Sequence, residues 1–377
     1  MKWETVNIGQ LGEVITGNTP PRKNPELYGD YIPFIKPTDM EIDRRYTPNP
    51  EECYSELGFE KYRRTLIPKG STCVVTIGSI GKKMTQAYCD CFINQAVNAV
   101  IPNEDYDKDF VFYILKNNLN KVKGLDSGTS SGRENVSKSA FSSIEVKVIK
   151  HVPTQRKISS ILSAYDDLIE NNLKRIKLLE EKAQLHYKEL MKDSAKWDKV
   201  RLEKFVSVVK GRKPTNVLEQ PEEESQLYLL LDTVERGKTL YTSDLSLPQS
   251  KITDVLMCMD GARSGLSFRG MVGAIGSTMA IWRSNSERVS GEFLYQFMKH
   301  NESAITQGNT GAAIPHANRK FILDMKLAMP PKKEAEYFDA LTLPMIKLIN
   351  TLHQQNTKLR EARDILLPRL MSGQIEV

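Results

Sequence analysis

The sequence is poor in the residues that build metal and redox centres. Its five cysteines, Cys53, Cys73, Cys89, Cys91 and Cys258, include no C-x-x-C pair. Cys89-Asp90-Cys91 meets no second Cys or His cluster at zinc spacing. A zinc ribbon and a thioredoxin-type motif are thereby excluded, and free, mostly buried thiols are expected. The five histidines, His151, His186, His300, His316 and His353, form no H-x-x-x-H or H-E-x-x-H pair, so no metal site and no nucleophile–base arrangement is expected. No apolar run approaches about eighteen residues and no signal-peptide core stands at the start, so neither membrane spanning nor secretion is expected. The default is a cytoplasmic protein with no membrane partner.

Catalytic signatures are missing too. GSIGKK at Gly78 to Lys83 lacks the four-residue spacing and the Ser or Thr of a phosphate loop. Glu145-x-Lys147 ends like a nuclease metal site, but no acidic partner precedes it at a persuasive position, and a solvated strand face is the plainer reading. No glycine-rich strand-to-helix turn offers a place for a nucleotide or methyl-donor cofactor. No catalytic residue is assigned.

What the chain does have is a long heptad. Within QRKISSILSAYDDLIENNLKRIKLLEEKAQLHYKELM, steps of four and three from Ile158 reach Leu162, Tyr165, Ile169, Asn172, Ile176, Leu179, Ala183, His186 and Leu190. That is the seam of a coiled coil, uninterrupted by Pro or Gly, and a stripe so narrow and long needs a partner helix. A second stripe near the C-terminus supplies one: Phe338, Thr342, Met345, Ile349, Leu352, Asn356, Leu359, Arg363, Leu366 and Leu370. If the two run antiparallel with Asn172 opposite Asn356, apolar meets apolar along the seam and Tyr165 meets Arg363. A pair of buried amides fixes such a register, because an amide facing Leu costs about 1–3 kcal/mol. Pro344 predicts a kink or a helix beginning near it, and Pro368 predicts distortion before Leu370.

The helices belong to a larger pseudo-repeat with a period of about 180 to 194 residues. Trp3 is answered by Trp197, and LGEVITGNTPPR by LEKFVSVVKGRKPTN, with Gly17 over Gly211. Each half continues with short β-branched and aromatic runs broken by turn residues, then an amphipathic helix, DFVFYILKNNLNKV or GEFLYQFMKHNESAI, then a polar glycine loop. The predicted fold is α+β: two β-rich domains in a pseudo-two-fold arrangement, separated by two long helices that form an antiparallel coiled coil. The expected boundaries are 1–153 and 194–333 for the globular domains, 154–193 and 334–371 for the helices, and 372–377 for a tail.

The formal net charge is +6 and the pI about 8.8, which permits a polyanionic partner without requiring one. Residues 1–152 are nearly balanced, and the excess of Lys and Arg lies in 194–333. At matching places in the halves, loops set Arg, Lys, Asn, Gln, Ser and Thr among glycines, the side chains that bond phosphates and base edges. The DNA-binding candidates in the first half are Thr16, Asn18, Arg22, Lys23, Ser79, Lys82, Lys83, Ser130, Arg133 and Asn135. In the second they are Lys210, Arg212, Lys213, Arg263, Ser264, Arg269, Asn309, Thr310, His316, Asn318 and Arg319. Asn135 and Asn318 are alternatively turn caps before the last strand.

The opening LGEVITGNTPPR, the block from GTSSGRENVSKSAF through the first long helix, and the ending NTKLREARDILLPRLMSGQI together resemble the DNA-specificity subunit of type I restriction-modification enzymes. The order domain, helix, domain, helix spans the whole chain. That resemblance implies a non-catalytic subunit in which each globular domain, a target recognition domain, reads one half of a bipartite asymmetric site in double-stranded DNA. It implies helices that set the spacing and dock two methyltransferase subunits, with restriction and translocase subunits joining for cleavage. S-adenosylmethionine, ATP and Mg2+ would then belong to those partners, none to this chain. A helix from Ile158 to Leu190 is roughly 50 Å long at about 1.5 Å per residue, more than one duplex turn of roughly 34 Å. The alternative is a self-contained DNA-modifying enzyme, a nuclease or methyltransferase, that dimerises through its coiled coil.

Overall fold

The computed structural model describes residues 3–125, 134–236, 239–311 and 313–377. The chain divides into two compact units, Met1–Leu173 with Gln354–Val377, and Lys174–His353. In the first, strands β1 (Trp3–Asn7), β2 (Gly12–Thr16), β3 (Tyr28–Gly29), β4 (Ile32–Ile35) and β5 (Glu52–Tyr54) lead to helix α1 (Glu56–Tyr62). Strands β6 (Thr72–Val75), β7 (Met84–Gln86), β8 (Phe92–Ile93) and β9 (Val97–Pro102) follow. Then come helices α2 (Lys108–Asn117), α3 (Leu119–Gly124) and α4 (Lys138–Ser142), strand β10 (Glu145–Ile149) and the start of helix α5 (Val152–Leu190).

The strands make an antiparallel sheet in the order β2-β9-β6-β7, a mixed sheet in the order β3-β5-β4-β8, and a separate β1-β10 ribbon. Strand β6 is buried at every position because it feeds two cores. Val74 packs in the cluster that holds α2, whereas Cys73 and Val75 pack with Ile35 and Ile93 of the mixed sheet. A strand covered on both faces reads as a continuous apolar run rather than an alternating one. Helix α2 is apolar almost all round, with Phe110 to Leu115 buried, and its N-terminus is capped by Asp107, whose carboxylate accepts from Asp109 and Phe110 N–H.

The second unit repeats this plan. It contains β11 (Lys199–Arg201), β12 (Val206–Lys210), β13 (Gln226–Leu229), α6 (Leu231–Arg236), β14 (Tyr241–Thr242), β15 (Gln249–Ser250), β16 (Val255–Cys258), β17 (Ser267–Arg269), β18 (Gly273–Ile275) and β19 (Met279–Ser284). Helices α7 (Gly291–His300), α8 (Glu302–Gln307) and α9 (Arg319–Asp324), strand β20 (Lys326–Ala328) and helix α10 (Lys332–Met371) complete it. The sheet β12-β19-β16-β17 matches β2-β9-β6-β7 strand for strand, and β11-β20 matches β1-β10. Strand β16 again serves two cores: Val255 and Met257 face α7, Leu256 and Cys258 face Leu229 and Ile275. The mixed sheets share one parallel pair, β4 with β8 and β13 with β18, and differ in where their remaining strands attach.

Each unit holds a stretch of both long helices. In the first, Ile158 and Leu162 of α5 share a core with Leu367 and Leu370 of α10, and Asn172 Nδ2 donates to Asn356 Oδ1 at 2.9 Å. In the second, Ile176 packs with Ile349 and Leu352, flanked by Leu179. The seam departs from the expected one in three places: Leu367 is buried and Leu366 only half-buried, Tyr187 rather than Leu190 is buried against Phe338, and the third departure is polar. The residue that meets Arg363 is Asp166, 2% exposed, and Tyr165 beside it is only half-buried. A straight helix drifts by about 20° per heptad from a strict seven-residue repeat, and the buried guanidinium takes the neighbouring carboxylate. Helix α10 also runs unbroken through Pro344 and Pro368. Both prolines occupy exposed positions, where water can satisfy the carbonyl that loses its amide partner.

Among the described residues no helix is long and apolar enough to cross a membrane, and no group of three or more His, Cys, Asp or Glu could hold a metal ion. Of the free cysteines, Cys73, Cys91 and Cys258 are buried, Cys53 is half-buried and Cys89 is exposed.

Candidate nucleic-acid interface

The polar loops picked out by the sequence gather at one end of the antiparallel sheet in each unit, held there by matching backbone bonds. In the first unit the turn after β6 is clasped by the segment before α4: Gly78 N–H donates to Glu134 O at 3.0 Å and Val136 N–H to Thr76 O at 2.9 Å. In the second, Gly261 N–H donates to Pro315 O at 2.9 Å and Ala317 N–H to Met259 O at 2.8 Å. Both turns need glycine, Gly78 at φ 87° and Gly261 at φ 92°.

The first loop of each half joins the same end. Gly17 N–H donates to Val97 O and Asn18 N–H to Ile93 O; Gly211 N–H donates to Met279 O and Arg212 N–H to Ile275 O. A Cβ at Gly17 would lie 2.0 Å from Ile93 O, and one at Gly211 would lie 2.1 Å from Gly276 O. The two glycines aligned in the sequence therefore do the same job: they let the loop backbone lie against the sheet.

Within the first unit, Asn18, Lys23 and Lys82 are exposed and Ser79 and Asn135 half-buried. Asn135 faces Ile77 in an isolated bridge. Arg22 is exposed but held by Glu52 through bonds of 2.7 and 3.1 Å, and it lies 4.8 Å from the ring centre of Tyr28. The bond to Glu52 raises its pKa. Thr16 turns inward, donating to Asn98 Oδ1 at 2.5 Å, and Lys83 Nζ donates to Pro37 O at 2.8 Å. Ser130 and Arg133 lie outside the described residues.

Within the second unit, Lys210, Arg212, Lys213, Arg263, Thr310, His316 and Arg319 are exposed. Lys210 Nζ lies 3.7 Å from Asp260 Oδ2, and His316 Nδ1 lies 2.7 Å from Asp260 Oδ1, so one acidic residue gathers two cationic or ring donors. Thr310 and His316 exchange backbone bonds of 2.9 and 2.7 Å, which closes their loop. Arg212 bonds Ser246 O.

Ser264, Asn309, Asn318 and Arg269 in the second unit are spent inside the fold, as Thr16 is in the first, a correction to the expected DNA-facing set. Ser264 is buried and receives Asn309 Nδ2 on both Oγ, at 2.7 Å, and its carbonyl, at 3.0 Å. Asn318 caps α9, accepting Phe321 N–H at 3.1 Å. Arg269, its side chain 12% exposed, is chelated by Glu292 at 2.8 and 3.0 Å and donates to Glu180 at 2.9 Å. Burial opposes its charge, but the carboxylates outweigh burial and raise its pKa. An Arg with every face engaged has no fork left for a base.

Sequence reasoning missed Arg44 and Arg45, which lie between β4 and β5. Arg44 is bidentate on Glu170, and Arg45, 2% exposed at its side chain, meets Gln86, Asp109 and Asp167. An Arg-Arg pair in a turn carries no sequence signal that tells a buried role from a solvated one.

Residues 1–181 match the model of a family described as type I restriction modification DNA specificity domain. Over 408 aligned residues the chain is 23% identical to the type I restriction enzyme MjaIX specificity subunit of Methanocaldococcus jannaschii, covering 100% of this chain and 94% of that one. It is 30% identical over 184 residues to the HindI specificity subunit of Haemophilus influenzae, 47% of this chain and 39% of the relative. Among solved structures, the S subunit of a type I restriction-modification system from M. genitalium has the same fold, with a TM-score of 0.59 at 15% identity over 98% of this chain and 96% of that one.

Proposed function

We propose that this chain, whose residues 1–181 match the type I restriction modification DNA specificity domain, is the sequence-reading subunit of a type I restriction-modification complex, each globular unit reading one half of a bipartite, asymmetric site in duplex DNA. The observation that carries the reading is the duplicated clasp. In both units the same backbone bonds bring Lys, Arg, Asn and Ser or Thr loops to the same end of the same sheet. Direct readout needs such groups presented by a rigid frame. In the first unit Asn18, Lys23, Ser79, Lys82 and Asn135 are the reading or phosphate-binding residues; in the second they are Lys210, Arg212, Lys213, Arg263, Thr310, His316 and Arg319. Loops of unlike sequence in the two units make the half-sites unlike.

In this proposal the chain supplies recognition, not catalysis. Two methyltransferase subunits dock on the long helices, where Leu168 in the first unit and Leu178 and Leu185 in the second are 52%, 63% and 63% exposed. Apolar side chains in an exposed helical row are what a partner helix covers. Restriction and translocase subunits join for cleavage; S-adenosylmethionine, ATP and Mg2+ act on those partners, and the length of the helices sets the half-site spacing. The test is to map methylated positions in DNA from cells with and without the gene. The expected result is the loss of one bipartite motif, and methylation unchanged across the genome would sink the reading.

A further inference from the structure

Each unit contains a three-part knot of an arginine, an acidic residue at the second position of its amphipathic helix, and an acidic residue of α5. In the second unit Arg269 Nε and Nη2 bond the two oxygens of Glu292, Nη1 bonds Glu180 of α5, and the guanidinium lies 4.4 Å from the ring centre of Tyr295. Glu292 is also bonded by Gln296 at 2.7 Å. Arg269 stands at the end of β17, opposite Val255.

The equivalent place in the first unit, at the end of β7 opposite Thr72, is held by Gln86. The arginine comes from elsewhere. Arg45 Nε donates to Gln86 Oε1 at 2.8 Å, Nη2 lies 2.7 Å from Asp109, and Nη1 lies 3.7 Å from Asp167 of α5. Gln86 in turn donates to Asp109 at 2.9 Å. Asp109 in α2 and Glu292 in α7 are both the second residue of their helices. Two unlike sequence positions thus deliver a guanidinium to one place, touching the sheet edge, the amphipathic helix and α5 together. A repeat that loses an arginine from one strand and regains it from a distant loop indicates a tie that is needed, since buried arginines add little net stability over apolar packing.

We infer that Arg45 and Arg269 are positioning residues for DNA reading: each locks the sheet that carries the reading loops at a set angle on its own stretch of α5, and so narrows the half-site spacing that the complex accepts. The inference rests on the reading proposed above. A bidentate guanidinium fixes orientation as well as distance, which a hydrophobic contact does not.

The test uses the complete methyltransferase complex with Glu180→Ala in this chain. Glu180 is 45% exposed at its side chain and lies on α5, away from the reading loops, and Ala keeps the helix while Arg269 keeps Glu292. The complex is given duplexes bearing the cognate half-sites with the spacer lengthened or shortened by one base pair. Methylation of the altered spacers relative to the cognate is expected to rise about fivefold, the scale of a partly exposed ion pair, while base preference within each half-site and Tm stay unchanged. A spacer profile identical to that of the parent overturns the inference, even if stability falls. Should Glu180→Ala fail to assemble, Asp167→Ala decides in the same way, since Asp167 is 64% exposed. Absence of any sequence-dependent methylation by the parent complex would instead count against the proposed function, and the two failures are distinguishable.

Discussion

Replacing Arg363 by Met should be among the most damaging single changes in the first unit, and the structure says why. The Arg363 side chain is fully buried; it bonds Asp166 Oδ1, at 2.5 Å, and Asp364 Oδ1, at 2.9 Å. Asp166, 2% exposed, also accepts the Tyr113 hydroxyl at 2.6 Å. Burial alone would lower the Arg363 pKa, but Asp166 and Asp364 outweigh it and raise it. Met fills much of the volume, so the cost is mainly the carboxylate left in the core without its cation, about 3–5 kcal/mol. For a unit of this size that corresponds to a fall in Tm of roughly 6–20 °C, at about 2–4 °C per kcal/mol. Adding Asp166→Asn removes the stranded charge and keeps an acceptor for Tyr113, so the double variant should recover most of the loss, with about 1–2 kcal/mol outstanding for the amide donor. Thermal and urea unfolding of the three proteins measures both steps. The reasoning is refuted if Arg363→Met costs under about 1 kcal/mol, or if the double variant is no more stable than the single one.

Other outcomes follow from the geometry. Gly17→Ala puts a Cβ 2.0 Å from Ile93 O and should unseat the first loop, lowering DNA affinity more than a salt-dependent assay can restore. Asn356→Leu strands the Asn172 amide and should cost about 1–3 kcal/mol, whereas the double change to Leu should be near neutral in a denaturant titration. Lys82→Ala or Lys210→Ala should reduce the slope of log affinity against log salt by about 0.9 if the ammonium neutralises one phosphate. The Cys73 thiol is pushed by burial from 9.0 up to about 12. Its folded value exceeds the unfolded one, so its contribution to stability is full below about pH 9 and lost as pH rises towards about 12. Native-state thiol labelling should modify Cys89 first and leave Cys73 and Cys91 untouched until unfolding.

The helices were legible because a coiled-coil seam depends on local spacing: of the heptad positions named on α10, Phe338, Thr342, Ile349, Leu352, Asn356, Arg363 and Leu370 are buried, and the Asn172–Asn356 bond shows the register directly. The Asp166 layer was not, because the choice between adjacent residues turns on the small mismatch between 3.5 and 3.6 residues per turn and on the chemistry of the opposing Arg363. Apolar runs mark β6 and β16, but nothing local in the chain orders the strands of either sheet, and the two-residue strands of the mixed sheets carry no period. Loop composition picked out polar positions but could not sort those the fold engages from those it leaves at the surface. Arg269 and Arg263 are six positions apart in one glycine-broken stretch. Only the fold reveals that the first meets carboxylates 23 and 89 residues distant, while the second is exposed.

The long-range ties described for each reading unit close within that unit. Arg44, Arg45, Asp109, Asp167 and Glu170 belong to the first; Arg269, Glu292 and Glu180 to the second. The boundary between the units falls inside both long helices, next to Asn172 on one and near Asn356 on the other. A segment exchanged between related genes at those points would bring its own clasp, its own clamp and its own stretch of seam. Heredity could therefore deal out new half-site combinations by recombination, without the stepwise repair that a shared joint would demand.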